Sequence, residues 1–420
     1  MLWCPSVIRF ALEGRTIRRA AGWTEPLTLP GFGASTASRW CRAVLRESAR
    51  AQLHPLDVRS GRMVVQAWIA SRGLIAAVAL LLAVRQGGSL TKMVSNWDVN
   101  HFTNLAQGGY YADPRGILMA FFPALPLILR AGLELGVPIA ITGVALSLLC
   151  SAVAAAALIR LGGPWAAIAW LFAPTAVFTT IPYTEALFCA AAFWAWERAR
   201  SDRWLAAALI AAVACTVRVS GLFLVVALVV MIMTSRDLDW LARGRRLALL
   251  LIPTAVLAVF VIFLYWLTGS WTAWYSAQST GWVRSMTWPW QSFLHTIDAM
   301  KPGAFPDQPW VTAVFRAEMV AMALGIVATV WCLTRRMWAE ATWVGIQVLA
   351  FSVSYWFFSV NRATLLWFPL WMMFAAWGSW RPERRGPRIA HRCATIMAFS
   401  ASVVLMLWWC WLFFTGYWSS

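Results

Sequence analysis

One short segment combines a carboxylate, an imidazole and aromatic side chains, with Asp98, His101 and Tyr110 as its central residues. If the segment is helical, Asp98 and His101 lie three residues apart on one face. A carboxylate beside Trp, His and Tyr at a membrane boundary can accept a proton from a sugar or lipid hydroxyl. The alternative is a helix-capping Asp followed by interfacial aromatic residues, and the spacing alone leaves both open. Two ligands without a third argue against a metal site.

Three further charged residues, Glu185, Arg218 and Arg362, lie in or beside apolar segments. An Arg near hydrocarbon costs about 2.5–3.5 kcal/mol on insertion scales, so each needs a partner. Glu185 could bind sugar hydroxyls or could complement the dipole at a helix start. Arg218 and Arg362 could each grip a lipid phosphate through paired donors. The alternatives are a salt bridge from Arg218 to Glu185 or Asp98, and interfacial snorkelling of Arg362.

The composition indicates that an integral membrane protein must position these residues. Of the 420 residues, 61% are hydrophobic and only 12% are charged, against roughly 25% charged in soluble domains. Of the 35 basic residues, 33 are Arg, and they punctuate the apolar segments instead of forming one patch for nucleic acid. Eight Cys form no CxxC pair, and the absence of Walker and Rossmann motifs argues against a soluble nucleotide as energy source or donor.

Eleven apolar segments are predicted to be helices, which indicates an all-α polytopic membrane domain over residues 63–414. Several are shorter than the roughly 20 residues of a full span, so they either extend further or are broken helices buried in the bundle. The predicted segments are 63–82, 139–159, 164–181, 184–196, 204–216, 221–234, 247–267, 311–333, 342–358, 365–380 and 393–414.

The distribution of charge predicts the orientation of this domain. Loops assigned to the cytoplasm hold 15 Arg, whereas the outer loops and their flanks hold nine basic residues. The positive-inside rule then places the amino terminus in the cytoplasm and two long loops, 86–138 and 268–310, outside. Within the first loop, the proline-interrupted apolar run 121–129 predicts an interfacial or re-entrant helix. Residues 1–62 are expected to be a basic, weakly ordered cytoplasmic extension, and residues 415–420 a short outer tail.

Four blocks of sequence resemble the PIG-V-type mannosyltransferases, which add the second mannose to GPI anchors in eukaryotes and have bacterial relatives. The first and most specific block is WDxxHF at 97–102, with Ala106, Gly109-Tyr110 and AFFPxxP at 120–126. The second comprises PTAVF at 174–178 and PYTEALF at 182–188. The later blocks are Arg218-x-x-Gly221 and Asn361-Arg362 ahead of Phe368-Pro369. Departures from the family pattern are the basic amino-terminal extension and Asn361.

The resemblance implies a GT-C glycosyltransferase fold, an active site on the non-cytoplasmic face and a polyprenyl-phosphate-linked mannose as donor. By analogy, Asp98 is the catalytic base, and Glu185, Arg218 and Arg362 bind sugar or lipid phosphate. His101 and Tyr110 are expected to contact substrate beside them. No metal or other cofactor is implied.

The strong preference for Arg over Lys suggests a GC-rich bacterial genome, and hence a bacterial plasma membrane. A bacterium lacks GPI anchors, so the acceptor is expected to be another lipid or glycan in or at the membrane. The rival hypotheses are a flippase or other transporter of a lipid-linked sugar, and a non-catalytic scaffold. A transporter would favour ionisable groups at the bilayer midplane and related halves, neither of which is evident in the sequence.

Overall fold

A computed structural model describes residues 53–419, and helices make up most of this part of the chain. Between residues 53 and 419 no strand forms, and an isolated antiparallel bridge joins Met286 to Ser354. The first described α-helices are α1 (Val58–Gln86), α2 (Leu90–Met93), α3 (Asp98–Gly108), α4 (Ala124–Glu134), α5 (Ile139–Gly162), α6 (Pro164–Leu171), α7 (Thr184–Arg200), α8 (Trp204–Cys215) and α9 (Ser220–Thr234). They are followed by α10 (Trp240–Leu249), α11 (Leu251–Thr268), α12 (Ala273–Trp282), α13 (Pro289–Ala299), α14 (Pro309–Thr334), α15 (Trp338–Ser352), α16 (Val360–Ala363), α17 (Phe368–Ser379) and α18 (Arg385–Phe414).

Five helical segments among the described residues are long and apolar enough to cross a membrane: α1, α5, α10 continued by α11, α14 and α18. The chain is therefore an all-α polytopic membrane protein, as predicted. The predicted number of eleven spans stays a prediction, because the other segments form shorter helices. Among these, α7 packs between α5 and α8, and most of its residues are buried.

The predicted segment 164–181 is not one helix, because α6 ends ahead of Pro174 and is followed by a 3₁₀ turn at Ala176–Thr179. Arg72 of α1 stabilises this interruption. Its buried guanidinium donates to Thr179 Oγ1 at 2.7 Å and also to carbonyl oxygens of the interrupted segment. Broken helices survive within a membrane where neighbouring side chains satisfy the freed backbone groups. This role of Arg72 was not predicted from the sequence.

The predicted loop 86–138 contains several helices, including α3 and α4. The helix expected from the proline-interrupted run is present as α4, which buries Leu125 and Leu129 next to Phe102 of α3. Leu127, on the opposite face of α4, is exposed. The second predicted loop, 268–310, likewise contains α12 and α13.

Two predicted boundaries are wrong because an Asp side chain caps the helix earlier. Asp57 accepts a hydrogen bond from Ser60 N at 2.9 Å, so α1 begins at Val58 instead of residue 63. Asp239 accepts from Ala242 N at 2.6 Å, and α10 therefore occupies part of the predicted loop 235–246. Residues 1–52, which form most of the predicted extension, lie outside the described residues.

The two ends of α7 carry different charge clusters. Near its end, the buried Glu197 pairs with Arg160 at 3.0 Å and with Arg198 at 2.6 Å. Glu185 lies near its start, twelve residues earlier, which is about 18 Å along a helix at 1.5 Å per residue. Glu197 with its arginine partners and Glu185 therefore lie at opposite ends of the helix.

Candidate active site

Four of the six predicted site residues form one chain of ion pairs. Arg362 Nη1 donates to Asp98 Oδ2 at 2.9 Å, and Arg362 Nε lies 3.1 Å from Glu185 Oε1. Arg218 Nη1 donates to the same Glu185 oxygen at 2.5 Å and to Thr184 Oγ1 at 2.8 Å. The order is therefore Asp98, Arg362, Glu185, Arg218. The salt bridge from Arg218 to Glu185 that the sequence left open as an alternative is present.

Asp98 is held in place by an unusual backbone conformation at the start of α3. The preceding Trp97 has φ 56° and ψ −124°, a region that residues with a side chain rarely adopt. Side chains tie this turn to the end of α18, because Asn96 Nδ2 donates to Phe413 O at 2.8 Å and Trp97 Nε1 donates to Tyr417 O at 3.1 Å. These contacts fix the carboxylate at one end of the bundle.

Glu185 occupies the first turn of α7 and is fully buried. A carboxylate at this position is stabilised by the helix dipole and by the two guanidinium groups. Its Oε2 atom is buried and has no hydrogen-bond partner in the part of the chain that the structure describes. Glu185 therefore complements the helix start, as one interpretation from the sequence expected, and it also joins the two arginines. Its binding of sugar hydroxyls stays a prediction.

Arg218 lies in the tight connection between α8 and α9. A Cβ atom at Gly221 would lie 2.7 Å from the Cα atom of Cys215, so only glycine allows this close approach of the two helix ends. The connection aims Arg218 at the start of α7, where its guanidinium reaches Thr184 and Glu185.

Arg362 is positioned by an acidic residue that the sequence analysis missed. Glu318 of α14 is fully buried, and its two carboxylate oxygens accept hydrogen bonds from Ser359 N and Asn361 N, each at 2.9 Å. Ser359 itself has φ 64°. Glu318 therefore holds the turn before α16, which directs the Arg362 guanidinium toward Asp98. An acid within an apolar span was the available signal.

Aromatic rings form the walls around Arg362 and His101. The Arg362 guanidinium carbon lies 5.4 Å from the Phe178 ring centroid and 5.2 Å from that of Tyr183, within cation–π range. Tyr183 Oη also accepts a hydrogen bond from Asp98 N at 3.1 Å. His101 stacks on Phe121 at 5.5 Å between ring centroids, and its buried Nδ1 has no partner among residues 53–419.

Tyr110 is not brought to the ion-pair chain. Its hydroxyl donates to Phe121 O at 2.9 Å, and its ring packs on Phe263 at 5.4 Å between centroids. Burial raises the pKa of the Tyr110 hydroxyl well above its usual value, which keeps it a hydrogen-bond donor. In this position Tyr110 holds Phe121, the residue on which His101 stacks.

A third guanidinium group, also missed from the sequence, approaches this end of the bundle. Arg284 follows α12, and its Nη2 donates to Phe358 O at 3.2 Å, four residues before Arg362. In residues 53–419 no group of three or more His, Cys, Asp or Glu side chains could hold a metal ion.

A large apolar groove lies on the other side of α16. It has a volume of about 1190 Å³ and is lined mainly by α14, α17 and α18, with Thr175 and Asn361 in its wall. The Asn361 side chain is 5% exposed, and neither its Oδ1 nor its Nδ2 has a hydrogen-bond partner in the described chain. Asn361 therefore faces the groove, while the neighbouring Arg362 faces the carboxylates.

This arrangement can support proton transfer beside a bound anion. Asp98 is 16% exposed at its side chain, and only its Oδ2 is engaged by a described residue. Its other oxygen can therefore accept a proton from a hydroxyl group. Guanidinium groups nearby favour a negatively charged ligand such as a phosphate ester.

A sequence model described as Mannosyltransferase (PIG-V) matches residues 71–291, more than half of the chain. GPI alpha-1,6-mannosyltransferase 2 of Mus musculus is 34% identical over 148 residues, which cover 31% of this chain and 29% of that protein. The Homo sapiens protein of the same name is 32% identical over 148 residues, again covering 31% and 29%. The similarity thus spans less than a third of these relatives. The matched range includes Asp98, Glu185 and Arg218, whereas Arg362 lies beyond it. Because the match covers more than half of the sequence, the chain belongs to the PIG-V mannosyltransferase family.

Proposed function

We propose that the protein is a membrane mannosyltransferase that uses a polyprenyl-phosphate-linked mannose as donor. The acceptor is a hydroxyl group of a lipid or glycan at the non-cytoplasmic face of the membrane, and a bacterial plasma membrane is the proposed location. The observation that carries this proposal is the hydrogen bond between Asp98 and Arg362, because it places a carboxylate base beside a cation at one end of the bundle.

The proposed reaction needs both charges. The acceptor hydroxyl transfers its proton to Asp98 while its oxygen forms a bond to the anomeric carbon of mannose. The bond from that carbon to the phosphate oxygen breaks, and the polyprenyl phosphate leaves with the electron pair. The negative charge that develops on the leaving phosphate is stabilised by nearby guanidinium groups. The reaction needs no further reactant, because the lipid phosphate of the donor is already an activated leaving group.

The position of the site supports the non-cytoplasmic face. Arg198 and Arg200 lie at the end of α7 that carries Glu197, whereas Arg362, which pairs with Asp98, contacts Glu185 at the other end. By the positive-inside rule the Arg-rich end is cytoplasmic, so the site faces the opposite compartment.

The test is mannosyl transfer by the purified protein in detergent. Radiolabelled polyprenyl-phosphate mannose and a membrane lipid extract are supplied to the wild type, to Asp98→Asn and to Asp113→Asn. Asp113 is the matched control. Like Asp98, it lies in the predicted loop 86–138 and pairs with an arginine, Arg115, at 2.8 Å, but this pair is not part of the ion-pair chain. We expect transfer by the wild type and by Asp113→Asn, and a loss of about 100-fold or more in Asp98→Asn.

Two results would overturn the proposal. Full transfer by folded Asp98→Asn would assign the base to another residue. If the wild type transfers no label in detergent but equilibrates the lipid-linked sugar across liposome membranes, the protein is a transporter instead. The labelled product also identifies the acceptor.

A further inference from the structure

The arginines of the site differ in what already occupies their donors. Arg218 and Arg362 are both committed to carboxylates, at distances between 2.5 and 3.1 Å. Within residues 53–419 Arg284 makes no ion pair with any carboxylate, although it is partly buried. Its only side-chain hydrogen bond in this part of the chain runs to Phe358 O, and its buried Nε has no partner.

The surroundings of Arg284 favour an anion. Burial, followed by repulsion from Arg362 and Arg218, lowers the pKa of Arg284 to about 10, although attraction to Asp98 and Glu318 opposes this shift. The guanidinium also lies 6.0 Å from the Phe351 ring centroid and 5.8 Å from that of Phe358, which compensates only part of its lost hydration. A partly buried guanidinium group that lies near two others, and whose Nε has no partner among the described residues, is suited to bind a negatively charged group.

The backbone holds Arg284 in one place. The preceding residue, Val283, directly follows α12 and has φ 53°, which is a strained conformation for a β-branched side chain. The following residues are tied to the end of α15, because Thr287 N donates to Val353 O at 2.9 Å and Thr287 Oγ1 donates to Ser354 O at 2.8 Å. Such fixed donors lose little entropy when they bind a ligand.

We infer that Arg284 binds the phosphate of the polyprenyl-phosphate substrate, whereas Arg218 and Arg362 keep their carboxylates and position Asp98. This inference rests on the proposed function for its ligand. It changes the expectation from the sequence, which assigned phosphate binding to Arg218 and Arg362. The leaving polyprenyl monophosphate carries more negative charge than the donor diester at neutral pH, since its second pKa is near 6. Arg284 therefore binds the product more tightly than the donor and stabilises the charge that develops as the bond breaks.

The experiment compares the binding of polyprenyl monophosphate with the binding of the neutral polyprenol of the same length. The ratio of the two affinities measures the contribution of the phosphate and does not require transfer. The variants are Arg284→Gln, Arg284→Lys and the control Arg243→Gln. Arg243 resembles Arg284 in its hydrogen bonds. Its Nη2 donates to one carbonyl oxygen, Ser235 O, and its Nε is buried without a hydrogen-bond partner among the described residues. Arg243 belongs to α10, which carries no residue of the ion-pair chain.

We expect Arg284→Gln to lower this ratio by about 10- to 100-fold, the range that hydrogen bonds to charged groups contribute, with unchanged polyprenol binding. Arg284→Lys should recover part of the ratio through its charge, and Arg243→Gln should equal the wild type. Wild-type ratios in folded Arg284→Gln would overturn the inference. If Arg284→Gln does not fold, the Arg284→Lys variant is used for the test. We expect polyprenyl monophosphate to inhibit mannosyl transfer by this variant several-fold more weakly than it inhibits the wild type. Unchanged product inhibition contradicts the inference.

The two proposals fail separately. A wild type that transfers mannose while Arg284→Gln keeps the full phosphate preference contradicts only the role of Arg284. If the wild type transfers no mannose, but Arg284→Gln loses the preference for polyprenyl monophosphate that the wild type shows, the proposed reaction is contradicted. A binding site for the phosphate of a phospholipid at Arg284 then remains.

Discussion

Asp98 and Arg362 are 264 residues apart in the sequence and share a hydrogen bond of 2.9 Å. The carboxylate begins α3, and the guanidinium belongs to the single turn α16, so neither helix alone creates the pair. Glu185 joins the pair from α7 and brings Arg218 with it. Because each charge has an opposite neighbour, the cluster can remain at one end of a bundle that otherwise buries apolar side chains.

Replacement of Arg362 by Lys should lower turnover strongly while leaving donor binding close to normal. A Lys ammonium keeps the positive charge. It cannot bind the carboxylates of Asp98 and Glu185 simultaneously, as the planar guanidinium of Arg362 does. We expect kcat to fall by about 100-fold, similar to the loss of one donor at a catalytic centre. The measurement is steady-state mannosyl transfer. Arg130→Lys on α4, where Arg130 pairs with Glu134 at the surface, is the control and should retain wild-type rates.

Replacement of Glu318 by Gln should destabilise the turn that carries Arg362. The amide can accept from only one of Ser359 N and Asn361 N, and its NH₂ group faces the other donor. The expected cost is about 1.5–3 kcal/mol in the free energy of unfolding, with a reduced kcat. Thermal unfolding in detergent measures the first effect. Equal melting temperatures for Glu318→Gln and the exposed-site control Glu134→Gln would contradict this role of Glu318.

Replacement of Tyr110 by Phe tests whether Tyr110 acts in packing or in substrate binding. The structure gives its hydroxyl one partner, Phe121 O, so we expect a loss of about 0.5–1.5 kcal/mol in stability and an unchanged KM for the donor. Tyr111→Phe is a close control, because the Tyr111 hydroxyl donates to Leu267 O at an exposed site. A KM that rises in Tyr110→Phe but not in Tyr111→Phe would instead support the substrate contact expected from the sequence.

Charges near apolar segments were the most informative signal in the sequence. This signal identified Glu185, Arg218 and Arg362, and the structure brings all three together with Asp98. Glu318 gives the same signal but was overlooked, because a single acid did not alter the apolar character of its span. The salt bridge from Arg218 to Glu185 was among the alternatives from the sequence, but the pairing of Asp98 with Arg362 could not be predicted, since it depends on how distant helices pack.

The helical class follows from composition, but helix boundaries depend on contacts that composition does not contain. The early starts of α1 and α10 come from the caps Asp57 and Asp239, which are local and visible in the sequence. The interruption after α6 is different, because it is tolerated only where Arg72 of another helix reaches the freed carbonyl groups. Arg284 was missed for a similar reason, since its lack of a carboxylate partner within residues 53–419 is a property of the folded chain.

The turn that holds Asp98 also constrains when the site can be completed during synthesis. Asn96 and Trp97 emerge early, but their hydrogen-bond acceptors, Phe413 O and Tyr417 O, follow 317 and 320 residues later. A nascent chain therefore cannot stabilise the strained Trp97 conformation until α18 has been inserted beside α1. Ribosome-bound chains that lack α18 would contain every charged residue of the ion-pair chain and still leave the Asp98 carboxylate unbraced, so we expect the proposed activity to begin only once α18 is in place.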